Sequence, residues 1–268
     1  MRDGDFTVQY QPLVNLDDRS LLGVEALVRW QHPTLGEIPP NDFIPLAEET
    51  GLIIPIGRFV LGEACRQAKL WESQDPDGRS VYVSVNLSAR QFRPAGQVVE
   101  QVREATAEAG IEPSRLMLEI TESVLMQDRD LIVSELKRLR ELGAKIAIDD
   151  FGTGYSALSY LRQFPIDTVK MDRSFVQNLG KDAADSALVR SVVELGGALD
   201  MQIIAEGIED EHQLTSLSDL RCGVGQGFYF APPLDADDVS ALLGKGNVSP
   251  PREGAAAAVL GTPPRPSG

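Results

Sequence analysis

The sequence has few of the residues that build disulfides, thiolate sites and histidine metal centres. Its 268 residues include two cysteines, Cys65 and Cys222, which form no C-x-x-C pair and no disulfide framework. We therefore interpret both as reduced thiols and predict a cytoplasmic protein. The two histidines, His32 and His212, lie in Q-H-P and E-H-Q, without an H-x-x-x-H spacing. A metal centre built on histidine is therefore not predicted.

Long apolar runs and an excess of positive charge are also missing. No run approaches the ~20 residues of a membrane span, and the start, M-R-D-G-D-F-T-V, has no signal-peptide core. Lys and Arg number 25 against 40 Asp and Glu, a net charge of −15 that disfavours binding to duplex nucleic acid. A phosphate-bearing ligand stays open, because bound cations can invert the local sign of charge.

Strand-like and helix-like segments alternate along most of the chain. Apolar runs such as V-Y-V-S-V and A-K-I-A-I are separated by helical patterns at residues 56–72, 96–109, 128–142 and 183–199. This alternation, with about eight strands, predicts an α/β fold, a modified (β/α)8 TIM-type barrel. A doubly wound open sheet is the alternative. A short turn near Asp17 and Asp18 joins the first two strands, so one strand is predicted to run antiparallel to the rest.

The composition also predicts where the domain ends. Residues 1–245 are predicted to form a single barrel domain. Residues 246–268 are rich in Pro, Ala and Gly and are predicted to be a disordered tail. Because the chain enters its first strand almost at once, an upstream sensory or cyclase-like domain is expected in a longer parent chain.

Polar side chains lie at or near the C-terminal ends of the apolar strands. In a parallel barrel these ends converge on one rim, where active sites lie. The oxygen donors among them are Glu25, Asn86, Glu119, Asp149, Asp150 and Glu206. The other polar residues in corresponding positions are Lys170, Asp172 and Gln226. So many residues of this kind on one rim predict a functional site there.

Asp149 and Asp150 are adjacent residues in a cluster of carboxylates, and their negative charge must be balanced. Adjacent carboxylates repel each other and resist ionisation unless positive charge lies close to them. Hard oxygen ligands favour Mg²⁺ or Mn²⁺ over a metal that prefers sulfur. If Asp149 bridges two such cations, the pair fits a two-metal clamp for phosphoryl chemistry.

The motifs around these residues carry a family resemblance. In chain order they read E-A-L-V-R-W from Glu25, F-I-P-L-A-E-E-T-G-L-I, V-N-L-S, L-E-I-T-E-S, D-D-F-G-T-G-Y-S, K-M-D-R-S-F-V, A-E-G-I-E and Q-G-F-Y-F. Over residues 6 to about 234 they resemble the EAL-domain phosphodiesterases, which hydrolyse cyclic di-GMP. The fold of that family, a (β/α)8 barrel with one reversed strand, agrees with the prediction above.

The resemblance implies a role for each matching position. One Mg²⁺ or Mn²⁺ ion would be bound by Glu25, Asn86, Glu119 and Asp149. A second ion would be bound by Asp149, Asp150 and Glu206. The residues nearest the attacking water would be the catalytic pair Glu206 and Lys170. Substrate contacts would come from Arg29, Asp172, Glu209 and Gln226, with Gln11 a weaker candidate. The loop after Asp150 would be braced by Glu122. The resemblance further implies a homodimer.

Three functions are compatible with these residues. The first is a metal-dependent phosphodiesterase that linearises cyclic di-GMP to pGpG by in-line attack of water. The second is a non-catalytic cyclic di-GMP receptor of the same fold, which the intact set of metal ligands disfavours. The third is an unrelated barrel hydrolase such as a glycosidase, which needs two carboxylates and leaves the others unexplained.

Overall fold

The computed structural model describes residues 5–74, 81–152, 161–180 and 183–248. The strands of the described part are β1 (Phe6–Asn15), β2 (Leu21–His32), β3 (Gly36–Ile38), β4 (Tyr82–Asn86), β5 (Leu116–Thr121), β6 (Lys145–Phe151), β7 (Thr168–Met171), β8 (Gln202–Ala205) and β9 (Val224–Gly225). Its α-helices are α1 (Pro40–Thr50), α2 (Ile53–Gln74), α3 (Gln97–Ala109), α4 (Glu122–Leu125), α5 (Arg129–Glu141), α6 (Arg173–Gln177), α7 (Ala183–Ala198), α8 (Glu211–Asp219) and α9 (Ala236–Lys245).

The sheet closes into a barrel. The strand order is β1-β9-β8-β7-β6-β5-β4-β2, and β1 pairs with β2 to complete the circle, while β3 extends the edge of β2. Strand β1 is antiparallel to both of its neighbours, and the remaining barrel strands are parallel to one another. The predicted modified barrel with one reversed strand is confirmed, and the open-sheet alternative is wrong.

The sequence pattern explains why the strands are arranged in this way. Strand β5, L-M-L-E-I-T, is buried at its first five positions, as expected of a parallel strand covered on both faces. Strands β1 and β2 are long and form an antiparallel hairpin instead. Their tight turn is stabilised by Oδ1 of Asn15, which accepts a hydrogen bond from the backbone N–H of Asp17 at 2.8 Å. This turn makes β1 the reversed strand.

The four helical patterns correspond to α2, α3, α5 and α7, with ends that differ by a few residues. The apolar segment G-V-G-Q-G-F-Y-F contains only a short strand, because β9 pairs only at Val224 and Gly225. Beyond it, Tyr229 donates its backbone N–H to the carbonyl of Ile208 and leaves the sheet. None of the described helices is long and apolar enough to cross a lipid bilayer.

The start of the predicted tail lies against the barrel. Asn247 forms an isolated bridge with Ser20, and Val248 is buried and donates its backbone N–H to Arg19 at 2.9 Å. From residue 249 onward, the predicted disordered tail lies outside the described residues. The boundary at residue 245 stays a prediction.

Candidate active site

The register of the parallel strands brings the predicted polar residues to one level inside the barrel. Asn86 of β4 lies opposite Glu119 of β5, and Thr121 at the end of β5 lies opposite Asp149 of β6. Because alternate residues of a strand face the same side, Glu119 and Thr121 point to one side of their strand. Glu25 on β2 and Lys170 on β7 lie at the same end of the barrel. We call the charged side chains gathered there the carboxylate ring: Glu25, Glu119, Asp149, Asp150, Glu206 and Lys170.

The ammonium of Lys170 lies among four carboxylates. Its Nζ is 2.6 Å from Oε2 of Glu119 and 3.1 Å from Oε2 of Glu25. It is 2.8 Å from Oε1 of Glu206 and 3.2 Å from Oδ1 of Asp149. Lys170 is 1% exposed and Glu119 is fully buried, so water contributes little to neutralising them. One ammonium therefore holds together carboxylates from four different strand ends.

The charges inside the ring shift the ionisation of its members. Burial lowers the pKa of Lys170, but the four surrounding carboxylates outweigh burial and hold that pKa well above its usual range. Burial, reinforced by Glu25 and Asp149, raises the pKa of Glu119, although Lys170 opposes the shift. Burial raises the pKa of Glu206 to about 8, with Asp149 and Glu25 adding to the shift and Lys170 opposing it. The ring therefore holds more negative charge than Lys170 can balance.

A β-bulge lets two adjacent aspartates face one site. The register between β6 and β7 shifts between Ile148 and Phe151, and Asp150 has a φ of +53°. Regular strand geometry would point consecutive side chains to opposite faces. The bulge and the left-handed residue change this direction, so oxygens of Asp149, Asp150 and Glu206 all lie within 4.8 Å of one another. The bulge therefore explains how the adjacent carboxylates of Asp149 and Asp150 can face the same site.

The donor set fits two divalent cations. Among the described residues, Asp149 belongs to two groups of carboxylates with oxygens within 4.8 Å, one with Glu25 and Glu119 and one with Asp150 and Glu206. Oε1 of Glu119 is buried and accepts no hydrogen bond from the described residues, so it remains available as a ligand. Oδ1 of Asp149 is also buried, and its contact with the Lys170 ammonium at 3.2 Å is an ion pair that a cation could replace. These five carboxylates and the Lys170 ammonium have a formal charge of −4, which two divalent cations would balance.

Two amide side chains hold the carboxylates of Glu25 and Glu206 in place. Nδ2 of Asn86 donates to Oε1 of Glu25 at 2.7 Å. Nε2 of Gln226 donates to Oε2 of Glu25 at 2.8 Å and to Oε1 of Glu206 at 3.1 Å. Gln226 was predicted to contact substrate, but in the structure its amide is buried and joins carboxylates from the two groups.

Glu122 lies beneath the loop that follows the two aspartates. It is the first residue of α4 and is 5% exposed, so an exposed strand-end glutamate is ruled out. Its Oε2 accepts the backbone N–H of Gly152 at 3.4 Å, and its Oε1 is buried without a hydrogen bond from the described residues. The rest of the loop that Glu122 was predicted to brace, from Thr153 onward, lies outside the described residues.

The predicted substrate-binding residues occupy different positions around the rim. Arg29 borders a cavity of about 360 Å³ that reaches Asn86, Asp149 and Asp150. Its Nε donates to Oε1 of Gln9 at 2.9 Å, which fixes the guanidinium at the edge of the cavity.

Asp172 was predicted, like Lys170, to lie at or near the C-terminal end of its strand. It follows the end of β7 and caps α6, accepting the N–H of Ser174 at 3.0 Å. Glu209 is exposed, and its N–H donates to Oε1 of Gln213 at 2.7 Å. Gln11 donates to the carbonyl of Ala231 at 3.4 Å.

Glu48 is a cavity residue that the sequence interpretation missed. Adjacent glutamates such as Glu48 and Glu49 are typical of a solvated helix face, but Glu48 is half-buried and borders the 360 Å³ cavity. Its Oε1 accepts a hydrogen bond from Oγ of Ser88 at 2.7 Å. The V-N-L-S motif contains the hydrogen-bond partner of Glu48, since Ser88 lies two residues after the predicted ligand Asn86.

Comparisons of the sequence and the fold with known proteins identify a family. The model of the EAL domain matches residues 1–233. The bifunctional diguanylate cyclase/cyclic di-GMP phosphodiesterase MucR of Pseudomonas aeruginosa is 46% identical over 236 residues, which cover 88% of this chain and 34% of MucR. The chain thus spans about a third of that relative.

Solved structures agree with this similarity. The structure of the PaMucR phosphodiesterase in complex with c-di-GMP is 46% identical, with a TM-score of 0.81 over 88% of this chain and 94% of that one. The EAL domain of Mycobacterium smegmatis DcpA is 35% identical, with a TM-score of 0.77 over 92% of this chain and 100% of that one. The chain therefore belongs to the EAL domain family.

Proposed function

We propose that this chain is a phosphodiesterase that hydrolyses cyclic di-GMP to linear pGpG and uses two divalent cations, Mg²⁺ or Mn²⁺. The observation that carries the proposal is the complete set of oxygen ligands in two groups that share Asp149. The activity that MucR is named for, and the c-di-GMP in the related complex, support the choice of substrate.

The ring residues divide into two ligand sets. The first cation would be held by Glu25, Asn86, Glu119 and Asp149, and the second by Asp149, Asp150 and Glu206. When bound, the cations would neutralise these carboxylates and stabilise the negative charge that develops on the phosphodiester during hydrolysis. Lys170, whose ammonium contacts Glu206 and Asp149, would lie against the attacking water and the scissile phosphate.

Glu206 is the best candidate to orient the attacking water and take its proton. It is only half-buried, whereas Glu25 and Glu119 are buried, so it is more accessible from solvent. Gln226 and Lys170 fix its Oε1 from two directions. The water oxygen would add to phosphorus, the bond to the 3′ oxygen would break, and that oxygen would take up a proton. Arg29, at the cavity edge, is placed to contact a phosphate of the dinucleotide.

The non-catalytic receptor is the second candidate, since it shares the fold and the ligand. It needs no ring of five carboxylates, which carries unbalanced charge in the absence of cations. Incubation of the purified chain with cyclic di-GMP and Mg²⁺ or Mn²⁺, followed by chromatography, separates the two. We expect pGpG to form with either cation and not with EDTA. Binding of the dinucleotide without conversion would favour the receptor.

The assembly and the wider chain are further proposals. A homodimer is predicted from the family resemblance, and sedimentation of the purified chain at several concentrations would test it. An upstream sensory or cyclase-like domain is consistent with the chain spanning about a third of MucR.

A further inference from the structure

The short helix α6 lies between the two segments that carry the ligands of the second cation. It follows β7 directly, and Asp172 caps its first turn. Met171, at the end of β7, pairs with Phe151 on one side and accepts the backbone N–H of Glu206 at 3.1 Å on the other. The chain segments after Asp150 and after Glu206 therefore flank the same helix start.

On one side, the ring of Phe175 packs against Gly152. A Cβ at Gly152 would overlap this ring, with Cε2 of Phe175 only 2.5 Å away, and the φ of Gly152 is +97°. No other residue could bring its backbone this close to the ring at that φ. The backbone N–H of Gly152 is held by Glu122, so two contacts fix the residue that follows Asp150 and Phe151.

On the other side, Arg173 packs against Gly207, the residue after Glu206. A Cβ at Gly207 would overlap Cβ of Arg173 and lie 3.3 Å from its Cα, and the φ of Gly207 is +69°. The first turn of α6 thus contacts both flanking segments at glycines with positive φ. On one side, Arg173 prevents the segment at Gly207 from moving closer to α6. On the other side, the ring of Phe175 does the same for the segment at Gly152.

The backbone conformation of Asp150 depends on packing of this kind against a neighbouring segment. Its φ of +53° is uncommon for a residue other than glycine, and conformations of this kind persist only where the surroundings enforce them. Strand pairing does not enforce it, because the register of β6 with β7 is interrupted at this point. Glu206 likewise lies beyond the end of β8. Neither carboxylate is therefore positioned by its strand alone.

We propose that the first turn of α6 is a spacer that sets the separation of the Asp150 and Glu206 carboxylates, with Phe175 as its positioning residue. The inference rests on the proposed two-cation site. The contacts of the spacer are with Gly152 and Gly207, which flank ligands of the second cation, whereas Glu25, Asn86 and Glu119 of the first set belong to β2, β4 and β5. Loss of the Phe175 ring is therefore expected to weaken the second cation more than the first.

The test is a calorimetric titration of metal-free protein with Mn²⁺ in the absence of dinucleotide. Asp150→Asn identifies the binding step of the second cation, and Asn86→Ala identifies that of the first. Phe175→Ala is expected to weaken the step identified by Asp150→Asn by about 10-fold or more, as is typical when a group that orients a ligand is lost. The step identified by Asn86→Ala should weaken by a clearly smaller factor, because three of its ligands come from β2, β4 and β5, and Phe175→Leu should recover part of the loss.

Val176→Ala is the matched control, since Val176 is a fully buried residue of the same helix, while the atoms nearest to Gly152 belong to Phe175. It should bind Mn²⁺ like the wild-type chain. Equal weakening of both steps by Phe175→Ala, or no weakening of either, would overturn the spacer and leave the proposed function intact. A wild-type chain that binds no second Mn²⁺ would refute the proposed metal site and the spacer with it.

Discussion

Nζ of Lys170 lies 2.6 Å from Oε2 of Glu119, and neither side chain has more than 1% of its surface exposed. A buried ammonium is stable only where carboxylates surround it, and buried carboxylates need a cation in return. In the absence of metal, Lys170 is the cation closest to the four carboxylates that the structure places around it. Replacing Lys170 with a neutral residue tests whether divalent cations can balance the charge of these carboxylates.

Lys170→Met keeps the length and bulk of the side chain and removes its charge. In EDTA, the free energy of unfolding should fall by about 3–5 kcal/mol, because one partner of a buried ion pair is lost. Saturating Mg²⁺ should restore more stability to the variant than it adds to the wild-type chain. Urea unfolding in EDTA and in Mg²⁺ measures both quantities.

Lys145→Met is the control, since Lys145 is exposed at the start of β6. It should leave the free energy of unfolding within about 0.5 kcal/mol of the wild-type value, the usual range for surface substitutions. Wild-type stability of Lys170→Met in EDTA would show that the carboxylates take up protons and do not depend on the ammonium.

Asp149 belongs to both carboxylate groups, whereas Asn86 donates a hydrogen bond to Glu25 of the first group. Asp149→Asn keeps the shape of the side chain and removes its charge. It should therefore weaken both Mn²⁺ binding steps, while Asn86→Ala weakens one. Calorimetric titration of the folded variants measures the two steps. If each substitution weakened the same single step, Asp149 would not bridge the two cations.

The sequence was sufficient to predict the barrel and the rim that carries the polar residues. Strand–helix alternation identifies parallel strands, and their ends must converge in a closed barrel. The family resemblance implied that Asp149 and Asp150 bind one cation, but the strand pattern could not explain how, because an unbroken strand would point the two side chains to opposite faces. The bulge and the positive φ of Asp150 become visible only once β6 is paired with β7.

The supporting residues were less predictable than the ligands. Phe175 is one apolar residue among many in the sequence, and its contact with Gly152 depends on where α6 begins. That start is set by Asp172, which was interpreted as a strand residue and is a helix cap. Sequence patterns report which residues are polar or apolar, whereas contacts between neighbouring strand ends follow from packing in three dimensions.

Glu206→Gln retains the shape and the hydrogen-bonding reach of the side chain but removes its charge and basicity. Turnover of cyclic di-GMP should fall by about 10²-fold or more, the usual contribution of a general base. Binding of the dinucleotide in the presence of metal should persist, because Arg29 and the remaining carboxylates are unchanged. Single-turnover kinetics and equilibrium binding, measured on the same preparation, separate the two effects. A variant that keeps a sizeable share of wild-type turnover would exclude Glu206 from proton transfer.

The last prediction concerns Glu122, whose carboxylate supports Gly152 from beneath. Its Oε2 accepts the Gly152 N–H at 3.4 Å, and Gly152 follows the two aspartates after a single residue, Phe151. Glu122→Ala removes this support while leaving every metal ligand in place. We expect a folded protein with turnover about 10–100-fold lower at limiting Mg²⁺, since groups that orient ligands contribute by this factor. High Mg²⁺ should restore part of the turnover, because mass action offsets weaker binding.

Ser123→Ala is the adjacent control for Glu122→Ala. Ser123 is exposed, and its Oγ lies 2.9 Å from Oγ1 of Thr121, without a described contact to Gly152. Its turnover should keep the Mg²⁺ dependence of the wild-type chain. The measurement is initial rate against Mg²⁺ concentration at a fixed, saturating concentration of cyclic di-GMP. A Glu122→Ala curve that overlaps the wild-type curve would mean that Phe175 and the bulge hold the aspartates without help from Glu122. A curve that is lower at every Mg²⁺ concentration, with an unchanged midpoint, would place Glu122 in the chemistry itself and not in metal binding.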